Sequence, residues 1–325
     1  MEAWNRQPAS VSTPADAFDQ LGVPRRRGRA PWVWWHLLSL DAPTIAVLWC
    51  WFFAAAFGIQ FRWTVLPTLA LGTWCVYIAD RLLDGLLSTE TAILRDRHWF
   101  YVRHRTFFTG AWIMAAVPLA YLVLLRVQRS VRNDDIILGL IGATYFALVH
   151  GFRRGPMRWF PKELAVGFLF AIATAVPAWA HTTSATEREI LAVAVLAFGA
   201  ACWLNCVAIQ VWEDAEAAQE VAHDILAGSR GRHARTGKIV QTFGLTQFLG
   251  QHLTAFAAFL GATGICLAWA AAHTPASPLL VCVAFSSFLF LMLIHCSTRF
   301  SVLTLRIAAD AALLTPLLFL LRHWQ

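Results

Sequence analysis

Pro278-Leu-Leu-Val-Cys-Val-Ala-Phe-Ser-Ser-Phe-Leu-Phe-Leu-Met-Leu-Ile-His-Cys-Ser297 contains no Asp, Glu, Lys or Arg. As an α-helix, about 20 residues span roughly 30 Å, the thickness of the hydrocarbon core of a bilayer. Working outward, comparable apolar stretches recur at residues 37–59, 62–85, 107–127, 135–151, 163–181, 188–212, 244–272 and 301–321. The bulk composition agrees: of 325 residues, 58% are hydrophobic and only 14% charged, and the mean hydropathy is +0.56. A soluble domain carries about 25% charged residues and lacks such runs. A soluble enzyme, a disordered chain and a disulfide-stapled secreted domain are excluded. The expected fold class is an all-α, polytopic membrane protein with a bundle of about nine transmembrane helices.

Orientation follows from Lys and Arg, which concentrate in loops on the cytoplasmic side. With the N-terminus inside, one side holds Arg6 and Arg25 to Arg29, then Arg95, Arg97, Arg103 and Arg105, then Arg153, Arg154, Arg158 and Lys162. The same side holds Arg230, Arg232, Arg235, Lys238 and Arg299. The other side has Arg62, Arg126, Arg129, Arg132, Arg188 and Arg322. The asymmetry predicts a cytoplasmic N-terminus in a multi-pass protein of a bacterial-type inner membrane. It also accounts for the net charge of +7 without nucleic acid.

Residues 1–35 are polar, Pro- and Ser-containing and basic at their end, with no apolar core of a signal peptide. They are read as a disordered cytoplasmic tail before a transmembrane domain at 36–325. The seven cysteines lie in or beside apolar stretches with no CxxC pair, so they read as small packing residues. The scattered histidines, His36 among those near predicted helix ends, do not form a haem-ligand pattern. No GxxxxGK[ST], GxGxxG or HExxH occurs.

Two acidic clusters, in the cytoplasmic regions 77–106 and 205–243, carry the chemistry. The second predicted span ends Trp74-Cys-Val-Tyr77-Ile-Ala-Asp80-Arg81-Leu-Leu-Asp84, with Asp80 and Asp84 one turn apart on a face shared by Tyr77. Two carboxylates on one face repel unless a cation lies between them, and carboxylate and phosphate oxygens suit Mg²⁺. The sixth span ends in Asn205, then Glu213, Asp214, Glu216 and Glu220, with Glu213 and Glu216 on one face and Asn205 two turns earlier. Both spans precede a long inner loop, an offset that hints at a parallel internal repeat. On the ninth span, Arg306 and Asp310 are one turn apart and are expected to pair facing the bundle interior.

Paired acidic motifs ending the second and sixth of nine helices resemble the UbiA-type intramembrane prenyltransferases. Asp41-Ala-Pro43 at the first span, the basic-aromatic run Arg97 to Arg105, Lys162-Glu163 and Arg306 to Asp310 are similar to further parts of that family. Val76 and Tyr77 stand where the family's first motif begins Asn-Asp, and Ala217 stands four residues after Glu213. The resemblance implies Mg²⁺-dependent transfer of an isoprenyl group from a polyprenyl diphosphate to an aromatic or lipid acceptor. Asp80, Asp84, Glu213, Asp214 and Glu216 would form the catalytic acidic set, with Asp80, Asp84 and Glu213 on the metal. Tyr77, Arg81, Arg153, Lys162, Asn205 and Arg306 would bind substrate, and Trp74 and Phe168 would wall the pocket. The alternative is a non-catalytic isoprenoid- or lipid-binding or transport protein on the same scaffold. On either reading the second and sixth spans are expected to be neighbours.

Overall fold

A computed structural model describes residues 30–87, 100–127 apart from 102, scattered positions between 129 and 144, and residues 162–226 and 245–322. No strand occurs among the described residues. The helices are α1 (Pro31–Leu37), α2 (Asp41–Ala56), α3 (Val65–Leu87), α4 (Arg105–Tyr121), α5 (Lys162–His181), α6 (Ala185–Leu226), α7 (Leu245–Gln251), α8 (Leu253–Ala270), α9 (Ala276–His295), α10 (Val302–Ala312) and α11 (Leu317–Arg322).

Five of these segments are long and apolar enough to cross a membrane: Arg105–Arg126, Lys162–His181, Ala185–Gln219, Leu253–Ala270 and Ala276–His295. The bent pair α1–α2 makes a sixth if it is one broken span. The other predicted spans differ for identifiable reasons. The first does not run on as one helix from residue 37, because α1 and α2 meet at 88°. Ser39 at the corner has φ +55°, a left-handed backbone unusual for a residue with a side chain. The tail assigned to residues 1–35 therefore ends sooner, with Pro31 opening α1 in a favourable first-turn position. The second span forms α3, but Thr68, Asp80 and Arg81 dilute its apolar character. The seventh divides at His252 into α7 and α8, and the ninth divides between α10 and α11. There Thr315 is drawn onto α9, donating to the Cys282 carbonyl at 3.1 Å and lying 2.9 Å from Ser286 Oγ. Most of the fourth predicted span lies outside the described residues.

The 42-residue α6 is the axis of the bundle. At 1.5 Å per residue it is about 63 Å long, roughly twice a bilayer core, and its last turns, from Glu213 on, are rich in Glu and Asp. Around it pack α5, α8, α9 and α10, while α2 bridges α3 to α5. Inside a membrane, packing depends on close approach rather than on exclusion of water. Gly167 of α5 lies against the Trp203 backbone so closely that a Cβ there would come within 2.7 Å of the Trp203 nitrogen. Gly199 of α6 accepts the Phe168 ring in the same crossing. In the hairpin of α8 and α9, Gly264 faces Ala284. Trp49 of α2 stacks on Phe198 of α6, with centroids 4.0 Å apart, and its Nε1–H donates to the Leu313 carbonyl at 2.8 Å. Apolar side chains such as Met114, Leu125, Phe259 and Ile265 are exposed on the outer face, as expected where lipid is the neighbour.

Within α4, Pro118 lacks an amide donor and the chain continues through a wider turn, Leu122–Arg126, closed by Val127 N–H to the Leu122 carbonyl.

Candidate functional site

The polar residues of the bundle collect at one end, where α2, α5 and α10 begin, α3 ends, and α6 reaches its acidic last turns. The corner between α1 and α2 is fastened there by several hydrogen bonds. The Tyr101 hydroxyl donates to the Leu37 carbonyl at 2.9 Å and lies 2.7 Å from Ser39 Oγ. Trp74 Nε1–H donates to the Leu38 carbonyl at 3.0 Å. Arg81 is buried, donates to the His36 carbonyl at 3.4 Å and lies over the Tyr101 ring, 5.5 Å from its centroid. Burial pushes the Tyr101 phenol above its ordinary pKa range, with the Arg81 charge opposing.

The corner brings two ionisable side chains of one short segment face to face. His36 Nδ1–H donates to Asp41 Oδ2 at 2.7 Å, and Asp310 Oδ2 of α10 lies 3.5 Å from the same nitrogen. A carboxylate only accepts, so the proton is on Nδ1. The remaining carboxylate oxygens are held as well: the Ala42 amide donates to Asp41 Oδ1 at 2.9 Å, and Asn205 Nδ2 donates to Asp310 Oδ1 at 3.0 Å. His36, Asp41, Asn205 and Asp310 are all buried. Tyr77, Cys202 and Cys206 lie within electrostatic reach of Asp310, and Tyr77 also of Asp41.

A second polar rung joins the same two helices. Arg306 Nη1 contacts Glu213 Oε1 at 2.5 Å, and both residues are buried. Because Asn205 meets Asp310 while the later Glu213 meets the earlier Arg306, α6 and α10 run antiparallel. The Arg306–Asp310 pair expected along the helix is thus replaced by two rungs across it. Geometry explains the change: side chains one turn apart on a helix facing a polar neighbour reach outward to it more easily than along their own axis.

The predicted site residues are distributed as follows. Tyr77, Arg81, Asn205, Glu213 and Arg306 belong to the polar end just described. Asp80 is half-buried on α3, and Asp214 is half-buried on α6, its Oδ1 accepting from Gln210 Nε2 at 2.7 Å. Glu216 and Lys162 are exposed. The Asp84 side chain and the whole of Arg153 lie outside the described residues. The second and sixth spans are not packed as close neighbours; α3 lies chiefly against α2 and α4, and Tyr77 reaches towards α6. Trp74 serves the α1–α2 corner, and Phe168 packs on Gly199.

Sequence reasoning gave no site role to His36 and used Asp41 only as part of a resemblance. The legible signal was a His and an Asp five residues apart where an apolar run begins, a costly place for both unless they meet. No protein family, curated protein or solved structure matches the chain.

Proposed function

We propose that this membrane protein transfers an isoprenyl group from a polyprenyl diphosphate to an aromatic or lipid acceptor, with its N-terminus and reacting face on the cytoplasmic side. The observation that carries the reading is the collection of ionisable residues from α1, α2, α3, α5, α6 and α10 at one end of an otherwise apolar bundle. A diphosphate needs a charged end, and its isoprenoid tail needs the apolar remainder.

The Mg²⁺ that this chemistry calls for fits part of the expected ligand set. Asp80 and Asp84, one turn apart at the end of α3, have the hard oxygen donors it prefers. Glu213 does not fit as a ligand while Arg306 holds its carboxylate. Mg²⁺ at the α3 pair would supply charge neutralisation for the diphosphate. The chain itself would orient the diphosphate with Lys162 at the rim, and exclude water from the isoprenyl carbon with the apolar side chains of α3 and α6. Its aromatic rings would face the developing allylic cation.

The occupied Glu213 favours a second reading, a protein that binds an isoprenoid or anionic lipid without turnover. The two are separated by incubating the purified full-length protein in nanodiscs with Mg²⁺ and a panel of polyprenyl diphosphates and acceptors. Release of pyrophosphate with appearance of a prenylated acceptor is the expected result. Saturable binding with no pyrophosphate release selects the second reading, and neither binding nor release overturns both.

A further inference from the structure

We infer that His36, Asp41 and Asp310 form a buried binding site for one proton, additional to the proton on His36 Nδ1 and carried on His36 Nε2 or on the Asp310 carboxyl. The site stands apart from the Asp80–Asp84 pair and does not depend on the function proposed above.

Three observations carry it. First, the two carboxylates are arranged around one imidazole nitrogen. Each has one oxygen held by a donor of its own, Ala42 N–H or Asn205 Nδ2, and turns the other towards the same imidazole nitrogen. Second, the local charge does not close. Asp41 and Asp310 bring two negative charges, and among the described residues the buried Arg81 lies on the His36 carbonyl and within electrostatic reach of Asp41. Arg306 is spent on Glu213, and Glu163 lies at the start of α5 next to Lys162. Counting the imidazole's two carboxylates against Arg81, one positive charge is missing among the described residues, and an uncompensated charge is strongly disfavoured away from water. Third, His36 Nε2 is fully buried and has no hydrogen-bond partner among the described residues. A buried ring nitrogen in that state is a position for a proton to arrive at or leave from.

A divalent cation would overshoot the missing charge, and the 2.7 Å contact between Nδ1 and Asp41 is that of an N–H···O hydrogen bond. A single proton satisfies both facts. The groups facing the site are Asp41 from α2, Tyr77 and Arg81 from α3, Cys202, Asn205, Cys206 and Glu213 from α6, Arg306 and Asp310 from α10, and Tyr101 beyond the corner. The thiols and phenols are neutral near pH 7, and the arginines are charged throughout. When filled, the site holds α1 to α10 through His36 and Asp310.

The test follows thermal unfolding of the full-length protein in nanodiscs, freed of metal with EDTA, from about pH 5.5 to about pH 9, where a one-proton difference changes the unfolding constant about tenfold per unit. The folded cluster keeps the extra proton to a higher pH than an unfolded histidine, which loses it near about pH 6.5, so the stability it contributes is fully present below that pH. It should fall as pH rises through the point where the cluster releases the proton. Asp310→Asn removes one negative charge and the need for the proton, so the difference between wild type and variant should shrink with rising pH. Parallel wild-type and D310N profiles overturn the inference. Should D310N not fold, ¹⁵N-histidine NMR and carboxyl infrared spectra of the wild type decide. A protonated Nε2 or a protonated buried carboxyl at neutral pH is expected, and the absence of both overturns the proposal. Stoichiometric Zn²⁺ or Mn²⁺ uptake that D310N abolishes also overturns it, in favour of a metal site.

Discussion

The guanidinium of Arg306 lies on the carboxylate of Glu213, joining α10 to α6 at a point where both side chains are buried. Removing one partner of such a pair leaves a buried charge unmatched, which costs about 3–5 kcal/mol, whereas removing both costs much less. Glu213→Leu and Arg306→Leu are each expected to lower the unfolding midpoint sharply, with the double variant more stable than either. A double-mutant cycle by thermal unfolding in nanodiscs checks this. Additive single effects would mean that the contact contributes nothing.

Asp80→Asn and Asp84→Asn preserve side-chain size and remove one negative charge each. If they hold the cation that neutralises a diphosphate, activity should drop by roughly a hundredfold or more, comparable to losing one electrostatic transition-state contact. Stability without ligand should stay level or rise, because two carboxylates one turn apart repel. Pyrophosphate release against Mg²⁺ concentration reads the first effect and a melting curve the second. Metal-independent behaviour that ignores both substitutions removes the transferase reading.

Gly167→Ala places a methyl group 2.7 Å from the Trp203 backbone nitrogen, and backbone cannot swing aside as a side chain can. The helices must separate, at a cost of about 1–3 kcal/mol. Gly264→Ala meets Ala284 Cβ at the looser distance of 3.1 Å and should cost less. Melting midpoints of the two variants rank the crossings.

Trp49→Phe keeps a ring over Phe198 and loses the donor to the Leu313 carbonyl. A lost hydrogen bond to a buried acceptor costs about 1–3 kcal/mol, and Trp49→Ala, which also opens a cavity, about 3–5 kcal/mol. The size of the gap between the two variants, again from thermal unfolding, separates bonding from packing.

The apolar, helical character of the chain, with helices long enough to cross a membrane, was legible because it depends on runs of side chains of one type. The breaks were not. Nothing in Leu38-Ser39-Leu40 announces a turn, since neither glycine nor proline is present; the reversal is imposed by Tyr101, Trp74 and Arg81, which arrive from other helices. The split between α10 and α11 had a visible Pro316, but the pull of α9 on Thr315 is a tertiary effect. For the polar end, charge within an apolar stretch correctly drew attention to Arg81, Asn205, Glu213 and Arg306. Partner choice was beyond reach, because helical spacing names the neighbours along one helix and says nothing about those across it. His36 was passed over for that reason: its partners lie across a bend and at the far end of the sequence.

That distance along the chain sets an order of events during synthesis. Trp49 waits for Leu313, 264 residues later, before its indole is bonded, and His36 waits for Asp310 on the same late helix. The first and last parts of the polypeptide therefore close the polar end together. A ribosome must have delivered nearly the whole protein before that end exists, and a chain stopped short of α10 leaves His36, Asn205 and Glu213 without their partners Asp310 and Arg306. Contacts so distant along the chain form late, after the loops between them have closed, so the polar end is the last part of the bundle to be completed.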